Sequence, residues 1–457
     1  MPSSMKRSEG DAIASAPEGS LPPKLRTSVP GRESRRQAAR LRAVDCPAFE
    51  ARRRTRSDLS GELQDPIVYA RGRGSNVYDV DGNRYVDLAA GFGALSLGHG
   101  PPAVMRAVIE QQKRVSLALG DMYASDLKAP LCEALAALAP FRGGRVMLGL
   151  SGADAVTAAL KSAILATARP GVLAFRGGYH GLSHGPLAAC GLSEEFRAPF
   201  EPQLGSYVSF APYPTREADN EMALEAARRT LRSGECGAVL VEPIQGRGGC
   251  VVPPLGFLRE LRRECTEAGA LLIADEIWTG LGRAGGWIAM ETERVLPDLL
   301  CLGKGLGGGI AISACVGTDE VMRAWGRHGG GAIHTATHFA SPLGCAAALA
   351  TLREMRKERL PHRSLALGQR WRRALEAGVR GYGVIDVRGR GLMVGIQVEG
   401  GAGRALVTAR RLLAMGYIVV TGGMAGDVLT LTPPLNIAEA LLSAFVAALQ
   451  ESLAERA

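Results

Sequence analysis

The sequence is short of several things. Aromatic residues make up 5% of its 457 positions, and only seven of its 54 basic residues are lysine. No uninterrupted apolar run approaches the ~20 residues of a membrane-spanning helix, so no membrane association is expected. The first thirty residues lack the apolar core of a secretory signal, and the expected location is the cytoplasm. None of the nine cysteines stands in a Cys-x-x-Cys pair; they read as reduced, buried thiols. His180 and His184, and His334 and His338, are each four apart, but GYHGLSHG is too rich in glycine to present a helical metal face, and no metal is expected.

The formal charge of +9 is also less than it looks. Residues 1–60 hold thirteen Lys+Arg against seven Asp+Glu, which accounts for +6 and leaves the remainder close to balance. Without aromatics interleaved among the basic residues, a nucleic-acid face is not expected. The stretches RRQAARLR and ARRRTR read as a solvated arginine-rich arm.

What is present is an ordinary globular composition, 46% hydrophobic and 22% charged, long enough for two or three substructures. Residues 1–20 read as a disordered tail. SRRQAARLRAVDCPAFEARRR has the spacing of one N-terminal helix, and SNVYDVDGNRYVDL that of a hairpin turning at Asp81-Gly82. From Pro102 onward, helical stretches alternate with the short apolar runs RVMLGL, GVLAF, GAVLVEPI, ALLIADEI, DLLCLG and SACVG. That alternation predicts an α/β domain with a mostly parallel central sheet between helices. After Pro342 come two helices, several strands and a last helix, a smaller α+β unit. The expected division is an N-terminal segment over 21–90, a large domain over 91–345 and a C-terminal small domain over 346–457.

Because lysine is scarce, Lys304 stands out. It follows the apolar run DLLCLG and opens GKGLGGG. A lysine at the end of a buried strand loses hydration, and its neutral amine becomes a nucleophile for carbonyl groups. A phosphate-loop lysine is the alternative. In ALLIADEIWTG a strand ends on Asp275 and Glu276, at the sheet edge where α/β proteins bind ligands; a helix cap is the bland reading of either. Lys304 lies twenty-nine residues beyond Asp275, one helix-and-strand unit later. A carbonyl-binding lysine with an aspartate that keeps a pyridinium nitrogen protonated is the pair pyridoxal phosphate requires. Two further features point the same way. Ser151-Gly152-Ala153-Asp154, between a strand and a helix, could hold an anion or merely cap. Tyr179, in the loop FRGGYHG, could lie on a planar ring or merely pack.

Taken in order, SGAD, FRGGYHG, VEPIQG, IADEIWTGLGR, GKGLGGG and HTATHFASPLGCAAA resemble the class III (ornithine/4-aminobutyrate type) pyridoxal-phosphate aminotransferases of fold type I. The similarity runs from about residue 65 to about residue 437. It implies that Lys304 forms a Schiff base with the cofactor and moves the substrate proton. Asp275 would bind the ring nitrogen, with Ile277 beneath the ring, Tyr179 above it and His180 beside it. Ser151, Gly152 and Ala153 would hold the phosphate, completed by Thr337 of a second subunit, so a homodimer is implied. Glu242 matches an active-site glutamate. The substrates would be an amine or amino acid and a keto acid or aldehyde, exchanging the amino group by a ping-pong mechanism. An aminomutase, racemase or decarboxylase could use the same lysine and acid; a nucleotide-binding or non-catalytic α/β protein is the distant alternative.

The departures from that family concern the cofactor's phosphate and phenolic oxygen, at Ala153 and Trp278, and the substrate carboxylate. Ala153 stands where many relatives have Ser or Thr, and Trp278 where many have glutamine. Thr430, in VLTLTPPL, replaces an arginine that ornithine-type members use for a carboxylate. Arg247 replaces a glutamate or small residue after IQG. Arg247 and Arg390 are candidates to take over the carboxylate; a structural or solvent-facing arginine is the bland reading of both. The expectation is an amino donor not bound in the ornithine-type manner.

Overall fold

The computed structural model describes residues 17–120, 122–327 and 331–454. Residues 1–16 of the expected tail lie outside the described residues. Pro17–Ser20 form a turn, and the Gly19 carbonyl accepts the Ser75 N–H at 2.7 Å.

The expected hairpin is present as β1 (Tyr69–Arg73), β2 (Asn76–Asp79) and β3 (Arg84–Asp87), an antiparallel set that turns at Gly82 with φ +82°. The central sheet has seven strands: β4 (Arg145–Gly149), β5 (Gly171–Phe175), β6 (Val208–Ala211), β7 (Cys236–Val241), β8 (Leu271–Asp275), β9 (Leu299–Leu302) and β10 (Ser313–Gly317). Their spatial order is β4-β10-β9-β8-β7-β5-β6. β10 runs antiparallel to both its neighbours, β4 and β9, and the other pairs are parallel. Six strands therefore point one way, and their carboxyl ends share one edge.

The residue pattern of these strands follows from cover on both faces. Leu173, Val239, Leu272, Ala274, Leu300 and Leu302 pack into one cluster, whereas Val172, Ala238, Leu240, Ile273 and Cys301 pack into another with Ala155, Val156 and Ala159. Alternate side chains thus meet two different apolar layers, so the strands read as unbroken apolar runs. The helices use the complementary period. In Phe257–Glu267 the buried positions include Phe257, Leu258, Leu261 and Cys265, one stripe facing the sheet.

The remaining strands are β11 (Val384–Arg390), β12 (Met393–Val398), β13 (Tyr417–Ile418), β14 (Val420–Gly422) and β15 (Val428–Leu431). Four of them form a second sheet in the order β11-β12-β15-β14, while β13 pairs in parallel with β3. The C-terminal part of the chain is thereby joined to the N-terminal hairpin.

The single N-terminal helix expected from spacing is two helices, Arg32–Val44 and Pro47–Ser60. The break is Pro47: the residue before a proline is driven out of the helical region, and Cys46 sits at φ −57°, ψ 127°. Nor is the second helix wholly solvated, since it packs against the helix Gly401–Ala414. No helix among the described residues is long and apolar enough to cross a membrane.

Candidate active site

The common strand edge gathers most of the residues singled out in the sequence. After β4, Ser151 caps the sixteen-residue helix Gly152–Thr167. Its hydroxyl accepts the Asp154 N–H at 3.2 Å, and Asp154 Oδ2 accepts the N–H groups of Ser151 at 2.8 Å and Leu150 at 3.1 Å. This reciprocal cap fixes the first turn. The N–H groups of Gly152 and Ala153 have no acceptor within the helix and stand at its positive end, a ready site for an anion. Gly152 is needed for space: a Cβ there would lie 2.9 Å from Ile277 Cδ1. The loop carrying Tyr179 descends on the same turn, for a Cβ on Gly181 would lie 2.9 Å from Ala153 Cβ.

Asp275 ends β8 and His180 lies in the loop after β5; both are buried. His180 Nδ1 and Asp275 Oδ2 are 2.7 Å apart, and Asp275 Oδ1 accepts the Ile277 N–H at 3.1 Å. Burial opposes a charge on His180, but the hydrogen bond and the carboxylate of Asp275 outweigh it and raise the imidazole above its ordinary value. Glu242, just beyond β7, accepts N–H groups from Tyr179 at 2.8 Å and Gly246 at 3.0 Å. Burial pushes its carboxyl up to about 7.

Lys304 follows β9, the strand next to β8, with Asp275 paired to Cys301 in register. Its φ of +34° is left-handed, a conformation that non-glycine residues keep where the surroundings enforce it, often at functional sites. The amine forms no hydrogen bond or ion pair among the described residues and lies 4.4 Å from the Trp278 ring centroid. Burial pulls it down to about 8 despite the attraction of Asp275 and Glu242. A substantial share is therefore neutral near pH 8, the reactive form of an amine.

Trp278 occupies space left by two glycines: a Cβ would lie 2.3 Å from its ring at Gly246 and 2.6 Å from its Nε1 at Gly93. Arg247 reaches over Tyr179, with its guanidinium carbon 5.3 Å from the ring centroid. Arg390, the other arginine considered for a substrate carboxylate, lies in the field of Glu276 and Glu293 instead. Glu276 is tied down by Thr279 Oγ1 at 2.5 Å and the Met290 N–H at 2.8 Å, a structural role rather than a helix cap.

Ser151, Gly152, Ala153, Tyr179, His180, Glu242, Asp275, Ile277 and Lys304 are thus at one edge of the sheet. Thr337 is exposed, and its side chain makes no hydrogen bond among the described residues. Arg52 and Arg56, read as part of a solvated arm, were missed: Arg56 is half-buried and feels the charges of Arg52 and Arg247. The three-to-four-residue spacing of Arg52, Arg53 and Arg56 on an amphipathic helix was the available signal.

Comparison with known proteins agrees with this arrangement. The family model described as aminotransferase class-III matches residues 60–453. The acetylornithine aminotransferase of Methanopyrus kandleri is 40% identical over 390 residues, 85% of this chain and 94% of that protein. The alanine/serine racemase of Pyrococcus horikoshii is 33% identical, covering 85% of this chain and 86% of its own. Among solved structures, the ornithine aminotransferase of Toxoplasma gondii superposes with a TM-score of 0.81 at 28% identity, over 94% of this chain and 96% of that one. Six strands delivering an acid, a free amine and an anion-binding turn to one edge are therefore the frame of a fold type I enzyme, and the chain belongs to the class-III aminotransferases, which depend on pyridoxal phosphate.

Proposed function

We propose that in this aminotransferase Lys304 is the residue that carries the cofactor, and that Asp275, backed by His180, holds the protonated ring nitrogen. One observation carries the reading: a buried Asp275–His180 pair stands one strand away from an unpaired lysine that is partly neutral. The residues fit the group. Ile277, packed so closely on Gly152 that a Cβ there would meet its side chain, would form the floor for a flat ring, and the first turn after Ser151 would take a phosphate.

When bound, pyridoxal phosphate supplies a cationic conjugated ring that takes up the electron pair left as a proton departs from the substrate. The chain does the rest. Gly152 and Ala153 bind phosphate through their N–H groups while the Ser151–Asp154 cap keeps the turn rigid. Ile277 and Tyr179 would hold the ring by packing on its faces. Asp275 holds the proton at the ring nitrogen, and His180 fixes the carboxylate. Lys304 Nζ would take the proton from the amine-bearing carbon of the substrate and give it back across the nitrogen, at the cofactor's former aldehyde carbon. Glu242, poised near neutrality, holds a proton beside Tyr179.

The test is the pH dependence of cofactor capture. Attachment needs the neutral amine of Lys304, at about 8 rather than the ordinary 10.5. The rate at which cofactor-free protein gains its visible absorbance band should rise with pH and level off a little above pH 8. A rate still climbing steeply at pH 10 would assign capture to an ordinary surface lysine.

The proposal extends to a cytoplasmic homodimer with Thr337 completing the phosphate site of the opposite subunit. Its exposure and lack of a hydrogen bond among the described residues support this. Mixing inactive Lys304→Ala and Thr337→Arg proteins should restore roughly a quarter of normal turnover, because half the random dimers regain one intact site. No recovery after confirmed subunit exchange would remove Thr337 from the shared site. The joining of β3 with β13 supports a small domain built from residues 21–90 and 346–457 around a large domain over 91–345.

A further inference from the structure

Three arginines, Arg247, Arg56 and Arg52, lie close enough to feel one another's charge and have no acid paired to them among the described residues. Arg247, after the Gly246 turn, has a buried Nε without a partner, beside the Tyr179 ring. Arg56 is half-buried on the helix Pro47–Ser60, and Arg52 is exposed one turn earlier. None of the three donates a side-chain hydrogen bond or joins an ion pair among the described residues. Their neighbours differ: Arg53 and Arg54 are held by Glu50, and Arg410 donates to the carbonyls of Asp65 and Val29. Burial and the like charges of Arg52 and Arg247 hold Arg56 below its ordinary value, and burial with Arg52 does the same to Arg247.

Like charges gathered in a partly dry place are unfavourable unless something neutralises them. The acid facing Arg247 is Glu242, whose two oxygens already accept the N–H groups of Tyr179 and Gly246. Nearby, the hydroxyl of Thr430 is also buried and has no partner among the described residues. A Cβ on Gly422 would lie 2.8 Å from Thr430 Oγ1 and 3.4 Å from the Arg247 carbonyl, so these segments meet beside the site. The cation at this corner comes from the loop after β7, and position 430 on β15 contributes no charge.

We propose that Arg247 is the specificity-determining residue of this enzyme, holding a carboxylate on the non-reacting end of the amino substrate, with Arg56 and Arg52 drawing that anion in from the rim. The proposal rests on the placement of the cofactor at Lys304. A guanidinium meets a carboxylate through two parallel N–H bonds, a match that a threonine hydroxyl cannot provide. The substrate class is an amine whose far end is a carboxylate.

The test uses the cofactor-loaded enzyme and two amines of equal chain length, 4-aminobutyrate and n-butylamine, followed by bleaching of the visible band in a single turnover. The wild type should favour 4-aminobutyrate. Arg247→Met should cut that preference on the order of 10–100-fold, the usual effect of losing hydrogen bonds to a charged group. Arg247→Lys should restore part of it. As a reading independent of turnover, calorimetric titration of the loaded enzyme with succinate should show weaker binding in Arg247→Gln by a similar factor. Arg52→Gln with Arg56→Gln should weaken it several-fold at low salt and much less at high salt. An unchanged preference and unchanged succinate binding, in variants that keep the visible band, would overturn the inference and leave the cofactor site standing. Absence of any band that depends on Lys304 would overturn the cofactor placement, and this inference with it.

Discussion

Lys304→Ala is expected to lower transamination by at least about 10³-fold, since in the proposed mechanism it removes both the anchor for the cofactor and the group that moves the substrate proton. The visible band of the purified protein should disappear with it. The fold should survive. Among the described residues the Lys304 amine forms no hydrogen bond or ion pair, so alanine leaves no buried partner there unsatisfied. The sign of the stability change follows from the lowered pKa. Between about 8 and the ordinary 10.5 the unfolded chain binds more protons at this position than the folded one, so the native state gains stability as pH rises through that window. Below it the folded protein carries a poorly hydrated ammonium. Replacing that group should leave the denaturant midpoint of the cofactor-free protein at pH 7 unchanged or higher. A protein that keeps both its band and its turnover without Lys304 would show that another lysine does the work. The candidates are few, because the sequence has only seven.

That scarcity made Lys304 legible in the sequence. The strands were legible for another reason: β7, β8 and β9 are covered on both faces and read as continuous apolar runs. β6, at the sheet edge, was not. Its four residues VSFA run from half-buried or exposed to buried without a regular alternation, so they carry too little pattern to separate from a loop. The helix Gly401–Ala414 was hidden by the glycines at its start, although Ala405, Leu406 and Leu412 form its buried side. Within the site, local motifs marked Ser151, Tyr179, Asp275 and Lys304, but not which of them touch. The Asp275–His180 contact joins residues 95 positions apart and depends on the order of β5, β7 and β8. Arg56 illustrates the limit most clearly. In a run of arginines each side chain looks solvated, and only packing reveals that this one is half-buried and feels the charge of Arg247, nearly two hundred residues later.

Asp275→Asn should lower turnover roughly 10²–10³-fold, the scale seen when a preorganised electrostatic contact to a reacting system is removed. Asparagine has nearly the same shape. Its oxygen can still accept the Ile277 N–H, now 3.1 Å from Asp275 Oδ1, and its amide can still meet His180. What it lacks is charge, so a proton on the cofactor's ring nitrogen loses its counter-ion. Cofactor attachment to Lys304 should persist, so the visible band remains while the step that removes the substrate proton slows. His180 gives a second readout. Its imidazole is raised because Asp275 outweighs burial, and with the carboxylate gone burial should pull it below its ordinary value. A titration of the His180 ring by NMR would follow that reversal. His180→Asn should cost less, about tenfold, because it acts by orienting Asp275 rather than by touching the cofactor nitrogen. Turnover of Asp275→Asn within tenfold of the wild type, alongside a His180 that still titrates high, would mean that the negative charge at the end of β8 is not what keeps the ring protonated.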